Sequence, residues 1–206
     1  PLLQLLGPSR FDKPVVGEPT TITWRSADIA DTRAVLRANA GGGAIDDVAG
    51  GWVAAEDFVA RGFADTASFA ALDRSAPGAG PAGLYGDRLE TRYGDDGIDL
   101  VVDDLPAGDY SLRLHLVERV GYVDPGERTF DVEIDGTVVA TGVDAAALAG
   151  GDDTVATTDI SFTTTDDGVE ISLVGTAANE PELYAFEILQ AEPAGRADPR
   201  VALDVS

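Results

Sequence analysis

The chain has 206 residues, 44% of them hydrophobic and 25% charged, and a mean hydropathy of +0.01, the balance of a globular protein with its own core. Thirty-seven acids against 14 bases leave a formal charge of −23, which excludes nucleic-acid binding through clustered cations. The absence of cysteine excludes a disulfide framework, a thiolate metal site and a cysteine nucleophile, and no apolar run approaches the roughly 20 residues that span a bilayer.

Residues 1–33 read as an N-terminal extension. Leu2, Leu3, Leu5 and Leu6 form a short apolar stretch ended by Gly7-Pro8, and residues 20–25 (Thr-Thr-Ile-Thr-Trp-Arg) form a β-rich run with alternating faces. A strand, turn and strand of this kind often begin an immunoglobulin-like sandwich, which some 30 residues cannot complete. The segment is expected to be the remnant of a preceding domain, an extra strand on the main one, or a strand donated to a neighbouring subunit. From 34 to 190 nearly every segment alternates with period two. Ile98, Leu100 and Val102 oppose Asp99, Val101 and Asp103; Tyr110, Leu112, Leu114 and Leu116 oppose Ser111, Arg113, His115 and Val117; Phe130, Val132 and Ile134 oppose Asp131 and Glu133. Asp135-Gly136 supplies a hairpin turn into Thr137. Further strands are expected at 160–164, 169–174 and 183–189, a single helical turn at 145–149 and a loop at 75–83. The pattern predicts an all-β protein, an antiparallel β-sandwich of jelly-roll or galactose-binding-like type with an extra N-terminal β segment. Residues 191–206 read as a C-terminal tail or linker with a final strand candidate at 201–205.

The make-up of the charge is informative. Lys13 is the single lysine, the other 13 bases are arginines, and the acids divide into 26 Asp and 11 Glu. A lysine-poor, aspartate-rich surface stays hydrated where salt screens its self-repulsion, which predicts a salt-loving source, a haloarchaeon. A high-GC genome is the plainer account of the same composition. With no methionine, residue 1 is expected not to be a translation start but the beginning of a processed form or a fragment.

Four motifs in order make the segment 35–189 resemble the malectin family of carbohydrate-binding modules. They are Val35-Leu36-Arg37-Ala38-Asn39-Ala40-Gly41-Gly42 with Trp52 following; Leu84-Tyr85 with Glu90-Thr91-Arg92-Tyr93-Gly94; Tyr110 through Glu118 continuing to the run Gly126 to Gly136; and Glu180-Pro181 leading to Ala185-Phe186-Glu187-Ile188-Leu189. The resemblance implies a β-sandwich whose loops at one end hold aromatic residues and an acid or amide around a short oligosaccharide. A pyranose packs its apolar C–H face on an aromatic ring and needs fixed donors and acceptors for its hydroxyls, so such a loop end suits it. Carried over by position, the resemblance implies Tyr85, Tyr93, Tyr122 and Asn179 as carbohydrate contacts, with Phe69 or Phe63 as an earlier loop aromatic. The family's paired aromatics after the glutamate matching Glu118 are reduced here to Tyr122 within Arg119-Val120-Gly121-Tyr122.

Plainer roles stand beside these. Tyr85 is otherwise a packing tyrosine, Asn39 a turn-bonding amide, Trp24 and Trp52 packing anchors, Arg92 and Glu90 an ion pair, and His115 an outward structural histidine. No motif selects a carboxylate pair for glycoside hydrolysis, and no Gly-x-Ser-x-Gly elbow is present, so no catalysis is expected. Calcium is a secondary expectation, since Asp-rich sandwich loops bind it through oxygen, although no Asp-x-Asp-x-Asp-Gly loop occurs. The leading expectation is a secreted or surface-attached, non-catalytic module binding a glycan, with no membrane insertion. The alternative is a structural subunit of an extracellular filament or surface layer that self-associates through residues 1–13.

Overall fold

The computed structural model describes residues 3–5, 24–26, 32–47, 50–67, 71–91, 97–165 and 167–191. The chain divides into two compact units, Ala34–Gln190 and Pro1–Arg33 with Ala191–Ser206. Within the second of these, β1 (Leu3–Leu5) pairs antiparallel with β2 (Trp24–Ser26), Leu3 opposite Ser26 and Leu5 opposite Trp24. The backbone of Leu3–Leu5 thus finds a ladder partner inside the chain. The rest of 1–13 and the strand candidate at 201–205 lie outside the described residues.

The larger unit is built on two five-stranded sheets. Its strands are β3 (Thr32–Asn39), β4 (Val53–Ala54), β5 (Val59–Arg61), β6 (Phe63–Thr66), β7 (Asp87–Glu90), β8 (Gly97–Asp103), β9 (Gly108–Val117) and β10 (Phe130–Ile134). They continue with β11 (Thr137–Val143), β12 (Val155–Thr164), β13 (Gly168–Gly175), β14 (Glu182–Leu183) and β15 (Ala185–Ala191). One sheet runs β11-β10-β13-β8-β5, the other β12-β9-β15-β3-β4, and β14-β7-β6 form a small third sheet. The registers linking β10 to β11 and β13, β8 to β13 and β5, β9 to β12 and β15, and β7 to β14 and β6 are antiparallel, while β3 and β4 are parallel.

Alternation dictates the layers. Leu112, Leu114, Leu116, Phe186 and Ile188 face Ile98, Leu100, Val132, Ile171 and Leu173 in one buried core. Asp135 (φ 48°) and Gly136 (φ 72°) make the two-residue turn joining Ile134 to Thr137, the positive-φ geometry that suits the strand twist. The short helix α1 (Ala145–Ala149) is capped by Asp144, whose side chain accepts the Ala147 N–H at 3.0 Å.

Strand β9 departs from its pattern at one end. Beyond Arg113 both its faces are buried, and His115, expected to point outward, is 0% exposed. A second cluster of Trp52, Leu84, Tyr85, Val117, Val155, Tyr184 and Ala185 covers the outer face of that sheet. The cover comes from the strap 71–86, held by Thr157 Oγ1 donating to the Pro77 carbonyl (2.8 Å) and by Asp73, bonded through its backbone to Asp153 and Val155. The strand expected at 183–189 is also interrupted. Glu182–Leu183 pairs with β7 while Ala185 onward pairs with β9, and Tyr184 between them is buried.

Candidate functional site

The strand registers gather one set of loops at a single end of the sandwich. In one sheet Val117 pairs with Val155 and His115 with Ala185; in the other Phe130 pairs with Gly175 and Gly97 with Val174. The segments 40–52, 118–129, 144–154 and 176–184 therefore leave the sheets at the same end. Loops 118–129 and 176–184 are tied together, since the Asn179 N–H and side-chain Nδ2 both donate to the Glu127 carbonyl at 3.1 and 2.9 Å.

A cavity of about 420 Å³ opens here, lined by Phe63, Glu90, Thr91, Arg128, Glu180 and Glu182, together with Pro181. The third sheet builds its wall, because Phe63 of β6 lies opposite Glu90 of β7, which lies opposite Glu182 of β14. Two carboxylates directly across a ladder repel, and two arginines offset this. Arg128 donates Nε to Glu118 (2.8 Å), Nη1 to the Glu180 carbonyl (2.5 Å), and pairs with Glu182 Oε1 at 3.0 Å. Arg88 reaches Glu90 at 2.7 Å, Asp65 at 3.1 Å and Glu182 Oε2 at 3.5 Å. Burial raises the Glu182 pKa above its ordinary 4.5, although Arg128 and Arg88 pull the other way. Both Glu182 oxygens are thus held by guanidinium groups, an arrangement that fixes the loop.

Thr91 is a buried polar group in this wall without a partner among the described residues. It is 7% exposed and its Oγ1 is buried with no hydrogen bond among the described residues. A buried hydroxyl left unmatched costs free energy that a polar ligand can recover.

The expected contacts fall differently. Tyr85 is not a stacking platform, for its ring is 1% exposed beneath the strap. Its hydroxyl accepts the Gly80 N–H at 3.1 Å and meets His115 Nδ1 at 3.1 Å, so the ring packs inward because its polar tip is satisfied there. Tyr122 is 84% exposed on the loop that supplies Arg128, though it does not line the cavity. Asn179 precedes Glu180 and anchors its loop. Tyr93 and Phe69 lie outside the described residues. Sequence reasoning missed Thr91, Arg128 and Glu182. The signals available were motif membership, for Arg128 its place in the run from Gly126 to Gly136 and for Thr91 its place in Glu90-Thr91-Arg92-Tyr93-Gly94; Glu182 is marked only by its tertiary pairing. Among the described residues no group of three His, Asp or Glu side chains is placed to hold a metal, and no helix is long and apolar enough to cross a membrane.

The malectin-domain family model matches residues 92–191, just under half of the chain. Among solved structures, a plant receptor-like kinase, FER, is similar at 15% identity with a TM-score of 0.67, over 78% of this chain and 50% of that one. The ANXUR1 extracellular domain from Arabidopsis thaliana is similar at 17% identity and 0.66, over 78% and 49%. A structure of the plant peptide RALF23 in complex with FER and LLG2 is similar at 15% identity and 0.65, over 78% and 49%. No curated protein matches the chain. The chain spans about half the length of the solved structures it matches, and at these identities the likeness is one of fold. The two five-stranded sheets, the gathered loop end and the structural likeness together make this an all-β sandwich, with the malectin-domain match lying over residues 92–191.

Proposed function

We propose that the domain is a non-catalytic carbohydrate-binding module, working outside the cell or at its surface, whose saccharide enters the cavity between β6, β7 and loop 176–184. One observation carries this reading: the 420 Å³ cavity joins the Phe63 ring to the unmatched Thr91 hydroxyl at the loop end. A sugar ring offers an apolar face to the first and hydroxyl groups to the second. Glu90 and Glu180 add acceptors, which suit the hydroxyls of a neutral sugar and repel a uronic acid. Tyr122 and Asn179 stand on the two loops that frame the cavity, and Tyr93 follows Thr91 by two positions; all three are proposed as flanking contacts. The malectin-domain match and the likeness to the ANXUR1 extracellular domain support the same reading.

Calorimetric titration against a panel of neutral oligosaccharides tests it. Phe63→Ala and Thr91→Val are each expected to weaken binding by roughly 2- to 12-fold, the worth of one aromatic stack or one hydrogen bond. Retained circular dichroism would show that the variants fold. Absence of binding across the panel by the unaltered protein would sink the reading.

A further inference from the structure

The charges around the 420 Å³ cavity do not balance. Two guanidinium groups serve four carboxylates. Arg128 pairs with Glu118 at 2.8 Å and Glu182 at 3.0 Å, while Arg88 pairs with Glu90, Asp65 and Glu182 at 2.7, 3.1 and 3.5 Å. Glu180 lines the same cavity as a further acid, and among the described residues its carboxylate has no hydrogen bond or ion pair.

The backbone of Glu180 is fixed although its side chain is not. Its carbonyl accepts Arg128 Nη1 at 2.5 Å, and Pro181 confines the residue before it to extended conformations. The next side chain, Glu182, is held by both arginines. A glutamate in such a lining position, free of any partner, can turn to a ligand in the cavity by a change of rotamer. An unpaired acid is common and by itself selects no ligand. Thr91 narrows the choice, because it lines the same cavity, is 7% exposed, and has a buried Oγ1 with no partner among the described residues. A ligand that fills the cavity thus meets two unmet demands of different kinds, one for positive charge and one for a hydroxyl.

We propose that the cavity prefers a cationic amino sugar, a hexosamine with a free ammonium group, to the neutral sugar of the same shape, with the Glu180 carboxylate as counter-ion. The inference rests on the carbohydrate reading above and adds the charge class of the saccharide. A neutral sugar can match Thr91 through a hydroxyl but leaves the excess negative charge as it was. An amino sugar matches Thr91 in the same way and brings a charged donor to Glu180. Glu90 and Glu182 are less suited to that part, since Arg88 and Arg128 already hold them. The net charge of −23 attracts any cation to the molecule as a whole, so the local pair must be separated from that general field.

The test is calorimetric titration of three β-1,4-linked disaccharides, those of glucosamine, N-acetylglucosamine and glucose, at about pH 6, where a free amine carries its proton. The glucosamine disaccharide is expected to bind roughly three- to tenfold tighter than the other two, the worth of one partly exposed ion pair with a charged hydrogen bond. Glu180→Gln keeps the size of the side chain and the backbone carbonyl that Arg128 holds. It is expected to remove the gap without weakening the glucose disaccharide. Glu170→Gln removes the same charge from an exposed position near the start of β13 and is expected to leave the gap intact. Equal affinity for the three disaccharides by the unaltered protein would overturn the proposal while leaving the carbohydrate reading intact. A gap that survives Glu180→Gln, or that Glu170→Gln narrows equally, would overturn it in the same way, by tracing the preference to the charge of the whole molecule. No binding by any of the three would overturn both.

Discussion

The Tyr85 hydroxyl receives the Gly80 N–H and lies 3.1 Å from His115 Nδ1, while His115 Nε2 lies 3.1 Å from Glu187 Oε1. The Glu187 carboxylate sets the direction of the chain, because it only accepts: Nε2 carries the N–H that faces it, and in that tautomer Nδ1 accepts from the Tyr85 hydroxyl. Burial pushes the Tyr85 pKa up to about 12, so the ring enters this chain as a neutral phenol. Tyr85→Phe would leave both the Gly80 N–H and His115 Nδ1 unmatched. It is expected to cost about 1–3 kcal/mol in urea unfolding without changing saccharide affinity, since the ring does not line the cavity. A fully stable variant would show that the chain of bonds contributes nothing. The tyrosine of the Leu-Tyr motif was legible in the sequence as important. Its direction was not, because that depends on a histidine 30 positions away.

At the scale of elements, Glu187 of β15 clips three strands together. It accepts Arg37 Nε of β3 at 2.9 Å, bonds His115 of β9, and lies 3.8 Å from Arg113 Nη1. Burial opposes its charge, yet the hydrogen bonds from His115 and Arg37 outweigh burial and hold the pKa below 4.5. A carboxyl depressed in the folded state adds stability above its unfolded pKa and loses it as pH falls through the folded one. Glu187→Gln is therefore expected to destabilise by about 2 kcal/mol at neutral pH, with the gap to the unaltered protein shrinking below pH 4.5. Chemical unfolding across pH 3–7 measures this on the scale where linked protonation acts, and a pH-independent gap would contradict it. The period-two alternation of β8, β9, β10 and β13 was readable because each strand buries one face along its length. It misled at His115 for a physical reason: the strap covers the outer face only where Leu84, Tyr85 and Trp52 reach it.

At the scale of the molecule, −23 charges on 206 residues repel one another. Paired exceptions such as Arg113 with Asp159, at 2.7 and 2.8 Å, are exposed and offset little of this. Since the screening length falls from roughly 10 Å at 0.1 M salt to 3 Å at 1 M, thermal stability is expected to rise by several degrees between those concentrations. A calorimetric midpoint that stays flat or falls would remove the argument from composition to a salt-loving setting.

Composition and periodicity by themselves determined the charge, the all-β class and the inward faces of the long strands, because each depends on residues adjacent in the chain. They also located the turn at Asp135-Gly136 and the helix at Ala145–Ala149, where local backbone preference decides. The cavity was decided only by tertiary structure. Its wall unites Phe63, Thr91, Arg128 and Glu180, which come from four separate segments. Proximity of that kind follows from sheet order and loop packing, which no window of sequence contains.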